Sequence, residues 1–489
     1  MLHTSNRNFY VGIHKKNGKY CGHTVSSTQP TKVDAISLQT HSQEVETLEA
    51  KDTLNFGNAF KSFTSVMESY RKFIPLTINI APILSIAMAE KTIVSFAETK
   101  GTKKDDISNE EMDVYELDLN CYRQFKQKFD EISSSLEGNK HLLEAIVIGL
   151  VSVYDAFLSK LLRVSLTLHP EIVFTSDKTI KFSDLIRFPS IEDARSSLID
   201  REIEAIIRLS HHEQFASIEK LFNLKLREDL LVWPIFIELC ERRNLLTHTG
   251  GTVSEQYLAN CKTQAVNTSG VAIGTKLNVD NAYFSEAVRT IYEIGVKLCY
   301  VLWCKLAKEE VDEASNAINN LAYDLIVWGE YKVAESLLLF STEAIKKNRG
   351  SDQTRRMMVV NLANTIKLQG KVEDAKKILE MEDWSASNDT FAVSVAAVSG
   401  NIDRVVQLMK KIGNHASEYG GTIECHPNAE DYRTWPVFKD LCTNENFVTA
   451  FETIFNQPLI LEKSTNINPN SPVMEHENSS DTISLNPEE

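Results

Sequence analysis

A chain of 489 residues with 43% hydrophobic and 24% charged residues has the composition of an ordinary globular protein and the length of two or three domains. The formal net charge of −15 excludes a broad basic surface of the kind that collects nucleic acid, so any contact with RNA has to be local. The eight cysteines are scattered without a Cys-x-x-Cys pair, which predicts reduced thiols in a cytoplasmic protein and no zinc site.

The N-terminal third carries two expectations about export and membranes. The first residues lack the apolar core and small-residue cleavage site of a secretory signal, so export is not expected. The most apolar run, residues 73–89, is short for a bilayer span and is interrupted by Pro75 and Pro82. A buried helix pair bent at these prolines is therefore predicted, with a membrane segment as the alternative.

Apolar residues recur at helical spacing through most of the chain, which predicts an all-α protein. A helix over residues 115–136 is expected to end at Glu137-Gly138-Asn139, where a long core helix over residues 143–161 follows. Further helices are expected over residues 191–209, 214–222, 226–248 and 280–308. The predicted segments are a flexible extension (1–55), a helical region (56–140), a helical bundle (141–310), repeated helical pairs with a cap (311–462) and a disordered tail (463–489).

The C-terminal third contains an internal repeat. Gly329 and Gly370 are each followed by an alanine at the same offset, and each is preceded by a small residue, Ala322 or Ala363, with apolar neighbours at helical spacing. A weaker third unit has Gly400 in its turn. This pattern resembles the tetratricopeptide repeat, although the offset of 41 residues between the glycines departs from that family's 34. The resemblance implies a protein or peptide partner at the repeats.

The candidate catalytic residues lie in the segment Arg243-Asn244-x3-His248. It ends an amphipathic helix and is followed at once by Thr-Gly-Gly, a strong helix stop. The earlier core helix reads Val-Tyr-Asp-Ala-Phe and carries Asp155 in a polar strip beside its apolar face.

Together these features resemble the HEPN superfamily, whose signature is Arg-x4-6-His with a polar residue on an earlier helix of a bundle. The resemblance spans residues 142–306 and implies that Arg243, Asn244 and His248 are active-site positions, with Asp155 as their polar partner. It also implies a metal-independent endoribonuclease that acts as a homodimer in prokaryotic anti-phage defence, as in abortive infection, or in a toxin-like response. The apolar helices around residues 147–161 and 235–246 are the expected interface, and which of their apolar residues face the partner and which face the core is left open.

The residue types suit the cleavage of a phosphodiester. Arg243 can hold two non-bridging oxygens, and His248, in the last turn of a helix whose dipole favours the imidazolium, can move a proton. RNA supplies its own nucleophile, the ribose 2′-hydroxyl, so no metal and no cofactor is expected. The chain contains no Walker loop, dinucleotide-binding turn, His-Glu-x-x-His or Gly-x-Ser-x-Gly motif.

Structural alternatives exist for the motif residues. Arg243 could pair with Glu238 or Glu241 on the helix surface, and His248 could cap the helix. The protein would then be a non-catalytic dimeric adaptor whose repeats bind a peptide or protein.

Other polar residues carry weaker expectations. Arg242 is expected to be a solvated neighbour of the motif, and His211 and His212 are expected to form a surface turn rather than a metal pair. The basic residues around a Gly-Ser-Asp turn form either a solvated loop or a patch that guides RNA. The speculative RNA-binding set is Arg242, Lys346, Lys347, Arg355 and Arg356, with Arg349 in the same loop.

Overall fold

The computed structural model describes residues 10–16, 19–26, 54–103, 115–174, 185–186, 188–228, 230–413 and 426–460. These residues are helical almost throughout, which confirms the all-α fold class. The tail predicted to be disordered, residues 463–489, lies outside the described residues, as does most of the predicted extension.

Two short antiparallel strand pairs accompany the helices. Strands β1 (Tyr10–Lys16) and β2 (Lys19–Ser26) pair within the predicted N-terminal extension, with a register shift between His14 and Lys15. Strands β3 (Thr102–Lys103) and β4 (Tyr115–Glu116) pair between the ends of the two longest helices.

The two longest helices correct two expectations. Helix α1 (Phe56–Lys100) is one element of 45 residues, so the predicted helix pair divided at Pro75 and Pro82 is wrong. Helix α2 (Leu119–Leu168) has 50 residues and continues through Gly138, so the expected stop there is also wrong. A glycine inside a helix costs only about 1 kcal/mol. Packing of α2 against α1 can outweigh that cost, and the predicted division at residues 140/141 falls inside one helix.

In the described part of the chain between residues 169 and 310, six helices follow α2 in the same bundle. They are α3 (Glu171–Phe174), α4 (Ile191–Ile207), α5 (His211–Phe222), α6 (Trp233–Thr249), α7 (Glu255–Thr263) and α8 (Asn281–Leu306). Helix α8 packs against α1, α2 and α6, and its buried face supplies the largest share of the core. The sequence predicted all of these except α3 and α7, which are short.

One stretch of the bundle has the composition of a membrane span. Residues His141–Leu168 of α2 are long and apolar enough to cross a bilayer, with a mean hydropathy of 1.8. The core helix of a soluble protein passes the same test, and several apolar side chains of this stretch are buried against the rest of the bundle. They include Val147, Leu150, Val151, Tyr154, Leu158 and Leu161.

The bundle does not end at residue 310. The first of two compact units runs to Met358 and includes α9 (Val311–Val327) and α10 (Tyr331–Asn348), which pack against α8. Two contacts join these helices to α8: the buried Tyr300 and Ser315 hydroxyls lie 3.0 Å apart, and the Tyr300 ring packs edge-on against Phe340. The first predicted repeat therefore shares a core with the predicted bundle.

The second unit begins within α11 (Asp352–Leu368), at Val359. It continues with α12 (Val372–Glu380), α13 (Asp389–Val398), α14 (Ile402–Ile412), α15 (Ala429–Thr434), a 3-10 segment (Pro436–Thr443) and α16 (Glu445–Phe455). The predicted turn glycines of the repeats, Gly329, Gly370 and Gly400, have φ of 82°, 83° and 75°, a left-handed conformation that favours glycine. Ala322 and Ala363 are fully buried, as the repeat pattern predicts.

His169 links the C-terminal ends of α2 and α8. This link predicts that part of the folding stability depends on pH. One ring nitrogen of His169 lies 2.8 Å from a Glu171 carboxylate oxygen, and the other lies 2.7 Å from the Leu306 carbonyl oxygen. Both partners are acceptors, so only the charged ring can donate to both. The hydrogen bond to Glu171 raises the pKa of His169 above its ordinary value.

Because the pKa is raised in the folded state, this link stabilises the fold fully below the unfolded pKa, and the stabilisation is lost as pH rises through the folded pKa. His169→Gln should therefore lower the free energy of unfolding at pH 5.5 but not at pH 8.5. The loss should be about 0.5 kcal/mol or less, because the histidine is 33% exposed. Urea denaturation at both pH values measures it. His141→Gln, which removes an exposed histidine that pairs with Glu144 in its own helix, is the control. Equal losses at both pH values would contradict the prediction.

Candidate functional site

The motif helix α6 is defined at both of its ends. Pro234 occupies its first turn, where a missing N–H costs nothing. Gly250 caps its C-terminal end with φ of 58°, and Gly251 follows with φ of 84°. A side chain at Gly251 would come within 3.0 Å of the Leu277 carbonyl oxygen. The predicted stop is thus confirmed, and His248 lies in the last turn of α6.

Asp155 contacts the motif arginine across the bundle. Arg243 Nη2 lies 3.3 Å from Asp155 Oδ2, and the two residues are 88 positions apart in the sequence. Both side chains are partly buried, with Arg243 23% and Asp155 25% exposed. The structure therefore brings together two of the site residues that the sequence singles out. The alternative surface pairing of Arg243 with Glu238 or Glu241 is wrong, because the ion pair that Arg243 makes among the described residues is with Asp155.

His211 binds the other oxygen of the same carboxylate. Its Nε2 lies 3.0 Å from Asp155 Oδ1, and because an ionised carboxylate only accepts, the ring nitrogen donates. The expectation that His211 lies in a surface turn is wrong: it is 7% exposed, in the first turn of α5. Its ring packs edge-on against Phe236 of α6, with 5.8 Å between ring centroids. Packing of the ring against Phe236 therefore overrides the exposure that the polar sequence Ser-His-His-Glu predicts.

The cluster of Asp155, His211 and Arg243 lies against the buried core. Tyr154 and Cys240 are buried beside it, and burial, followed by the Asp155 charge, raises the pKa of the Cys240 thiol well above its ordinary range. At this cluster two buried donors have no hydrogen-bond partner among the described residues: Arg243 Nε and the Tyr154 hydroxyl. The Arg243 guanidinium is thus incompletely paired in the free protein.

Asn244 and His248 complete the motif on the outer part of α6. They are four residues apart and so share one face of the helix. Asn244 is half-buried and His248 is exposed. Within the part of the chain that the structure describes, neither side chain makes a hydrogen bond or an ion pair. Both are available to an incoming ligand.

Arg242 belongs to a separate structural network. Its Nε donates to Glu238 Oε1 at 2.8 Å, its Nη1 donates to the Asn278 carbonyl oxygen at 3.0 Å, and its guanidinium stacks on the Tyr283 ring at 4.2 Å. The Tyr257 and Tyr283 hydroxyls also donate to Glu238, each at 2.8 Å. The expectation that Arg242 is solvated is wrong, and its bonds tie it to the fold instead of leaving it free for RNA.

The basic loop is also partly occupied. Arg355 and Arg356 each donate to Asp352 at 2.7 Å and are largely covered, whereas Lys346, Lys347 and Arg349 are exposed at the end of α10. The candidates for guiding RNA in this loop are therefore the three exposed residues, Lys346, Lys347 and Arg349.

The apolar residues expected at a dimer contact face inward. Tyr154, Leu158, Phe236 and Leu239 are fully covered within one chain. Most of the two stretches named for the contact is therefore core, and Ile235, which is 38% exposed, is an exception.

The described residues contain no group of three or more His, Cys, Asp or Glu side chains that could hold a metal ion. No family model, no curated protein and no solved structure matches this chain. A function for it therefore has to be inferred from its own residues.

Proposed function

We propose that this protein is a HEPN-type endoribonuclease that cleaves RNA through the ribose 2′-hydroxyl, without a metal ion. The observation that carries the proposal is the contact between Asp155 and Arg243. Sequence resemblance alone named Asp155 as the polar partner of the motif, and packing of two distant helices puts its carboxylate on the motif arginine. The contact agrees with the pairing that the resemblance implies for these two positions.

Each motif residue has a role in this reaction. The 2′-oxygen attacks the phosphorus and loses its proton, and the bond from phosphorus to the 5′-oxygen breaks as that oxygen gains a proton. The products are a 2′,3′-cyclic phosphate and a 5′-hydroxyl. Arg243 stabilises the charge on the non-bridging oxygens, and His248, which is exposed at the helix end, transfers one of the two protons. Asn244 lies on the same face and can orient the phosphate.

The second proton needs a second group. We propose that two copies of the chain pair so that a second His248 faces the same cleft, which is how HEPN nucleases commonly complete their site. The contact would use exposed residues near the end of α6, since the core residues are already covered.

The repeats and the biological role belong to the same proposal. The helical pairs α9–α10, α11–α12 and α13–α14, with a left-handed glycine in each turn, support tetratricopeptide-like repeats that sense a trigger or hold a partner. A role in anti-phage defence or a toxin-like response rests on the family resemblance alone.

A non-catalytic adaptor is the second candidate. It is favoured by one observation, the ion pair that occupies Arg243 in the free chain. A structural arginine would be held in the same way.

Purified protein incubated with a mixture of transfer, ribosomal and messenger RNA in excess chelator distinguishes the two candidates. The nuclease proposal expects discrete cleavage products that are lost when His248 is replaced. Intact RNA at high enzyme concentration would favour the adaptor.

A further inference from the structure

The Asp155 carboxylate accepts from two donors, Arg243 and His211. We propose that it acts as a latch on Arg243: it holds the guanidinium in the absence of RNA and releases it to an RNA phosphate. In the free protein Asp155 holds the guanidinium. When Arg243 turns to an RNA phosphate, His211 keeps the carboxylate hydrogen-bonded. His211 is thus a positioning residue rather than a catalytic one. This inference rests on the proposed function, which supplies the phosphate that competes with Asp155.

The bond between Asp155 and Arg243 is weak enough to be exchanged. A single Nη2–Oδ2 contact of 3.3 Å joins them, and it is longer than the usual range of about 2.7–2.9 Å for a charge-assisted bond. Arg243 Nε is buried without a partner. A guanidinium in this state has unused donors, and a phosphate can accept two of them side by side. A phosphate can therefore form two hydrogen bonds with Arg243, whereas Asp155 forms one.

Movement of the Arg243 guanidinium to a phosphate would leave the partly buried Asp155 carboxylate without its cation. This costs free energy unless another donor remains. His211 is that donor, at 3.0 Å from the second oxygen. It is held in place independently of Arg243: its ring packs on Phe236, and a Glu213 carboxylate that accepts from the Ser210 N–H at 3.0 Å fixes the start of α5. The Asp155–His211 pair can therefore persist when Arg243 leaves.

The arrangement has a testable consequence for the direction of each substitution. Without the His211 donor, Asp155 depends on Arg243 alone and should hold it more tightly. Without the Asp155 charge, Arg243 should be released. The two changes should act in opposite directions on the availability of Arg243, and the effect of His211 should disappear when Asp155 is neutral.

Phenylglyoxal, which modifies accessible arginines, reads this availability without any RNA. The rate of modification at Arg243, followed by peptide mass spectrometry on the full chain, should rise several-fold in Asp155→Asn and fall in His211→Phe. His211→Gln, whose side-chain amide can donate in place of Nε2, should stay near the wild type. If His211→Phe does not fold, the Asp155→Asn and His211→Gln variants still decide: equal modification of Arg243 in wild type and Asp155→Asn would overturn the latch.

Binding of a 2′-O-methyl RNA oligonucleotide, which cannot be cleaved through the 2′-oxygen, gives the second readout. His211→Phe should weaken binding about tenfold, the size expected for one hydrogen bond to a charged group, and should have no effect in the Asp155→Asn background. Equal weakening in both backgrounds would mean a merely structural role for His211 and would overturn the proposal.

The two readouts separate this inference from the proposed function. Modification rates that follow the expected order in a protein that neither binds nor cuts RNA would support the latch and reject RNA as its release signal. If the protein cleaves RNA but its modification rate at Arg243 is the same in wild type and Asp155→Asn, the latch is rejected and the nuclease proposal is retained.

Discussion

Replacement of Arg243 or His248 by alanine is expected to reduce RNA cleavage by about two to four orders of magnitude. A donor that stabilises developing charge contributes about 10²–10³ in rate, and a general acid or base contributes about 10²–10⁴. The two variants should differ in stability. His248 is exposed, so its loss should leave the free energy of unfolding within about 0.5 kcal/mol of the wild type. Arg243 is partly buried against Asp155, so its loss should cost about 1 kcal/mol.

Initial rates on one RNA substrate and urea denaturation of the same samples measure both effects. Arg208→Ala and His141→Ala remove the same side-chain types from exposed positions outside the motif and should keep full activity. Cleavage at the wild-type rate in either motif variant would contradict the assignment. Loss of activity that merely follows loss of folding would indicate a structural role.

Glu238→Ala is expected to cost about 1–3 kcal/mol of unfolding free energy, the range for leaving buried donors without their acceptor. Glu238 and Arg242 are each 15% exposed, and the carboxylate also accepts from the hydroxyls of Tyr257 and Tyr283. Burial and the Glu238 charge raise the pKa of both tyrosines, which keeps their hydroxyls protonated as donors. Alanine would remove the acceptor that Arg242 Nε and the two tyrosine hydroxyls share between α6, α7 and α8, and leave Arg242 with the Asn278 carbonyl oxygen.

Glu238→Gln is the matched variant, because its amide oxygen still accepts; it should cost clearly less than alanine. Glu228→Ala removes an exposed carboxylate paired with Lys225 and should cost less than 1 kcal/mol. Equal stability of Glu238→Ala and Glu228→Ala in urea denaturation would show that the network contributes nothing.

Helical periodicity predicted most of the bundle, since long apolar faces and helix stops are local signals. The end of α6 at Gly250 and the left-handed glycines at 329, 370 and 400 follow from residue types alone. The hairpin of β1 and β2 was missed although the dipeptide Asn17-Gly18, which is typical of two-residue hairpin loops, separates the strands in the sequence.

The remaining differences are tertiary in origin. Gly138 and Pro75 are local helix breakers, but the helices that contain them run on. His211 lies in a polar stretch that predicts exposure, and only the fold shows that Asp155 and Phe236 cover it. Likewise, two adjacent arginines that look equivalent in sequence have different partners: Arg242 bonds to Glu238, and Arg243 bonds to Asp155. A one-residue step along a helix turns the side chain by about 100°, which decides the partner.

The chemistry of the cut ends tests the central claim most directly. RNA cleaved in excess chelator should carry a 2′,3′-cyclic phosphate on one fragment and a 5′-hydroxyl on the other, as identified by mass spectrometry. A substrate with a single deoxyribose at the scissile position should stay intact, because it lacks the attacking 2′-hydroxyl. Cleavage of that deoxy-substituted strand, or fragments with a 5′-phosphate, would contradict attack by the 2′-hydroxyl at the Arg243–His248 site.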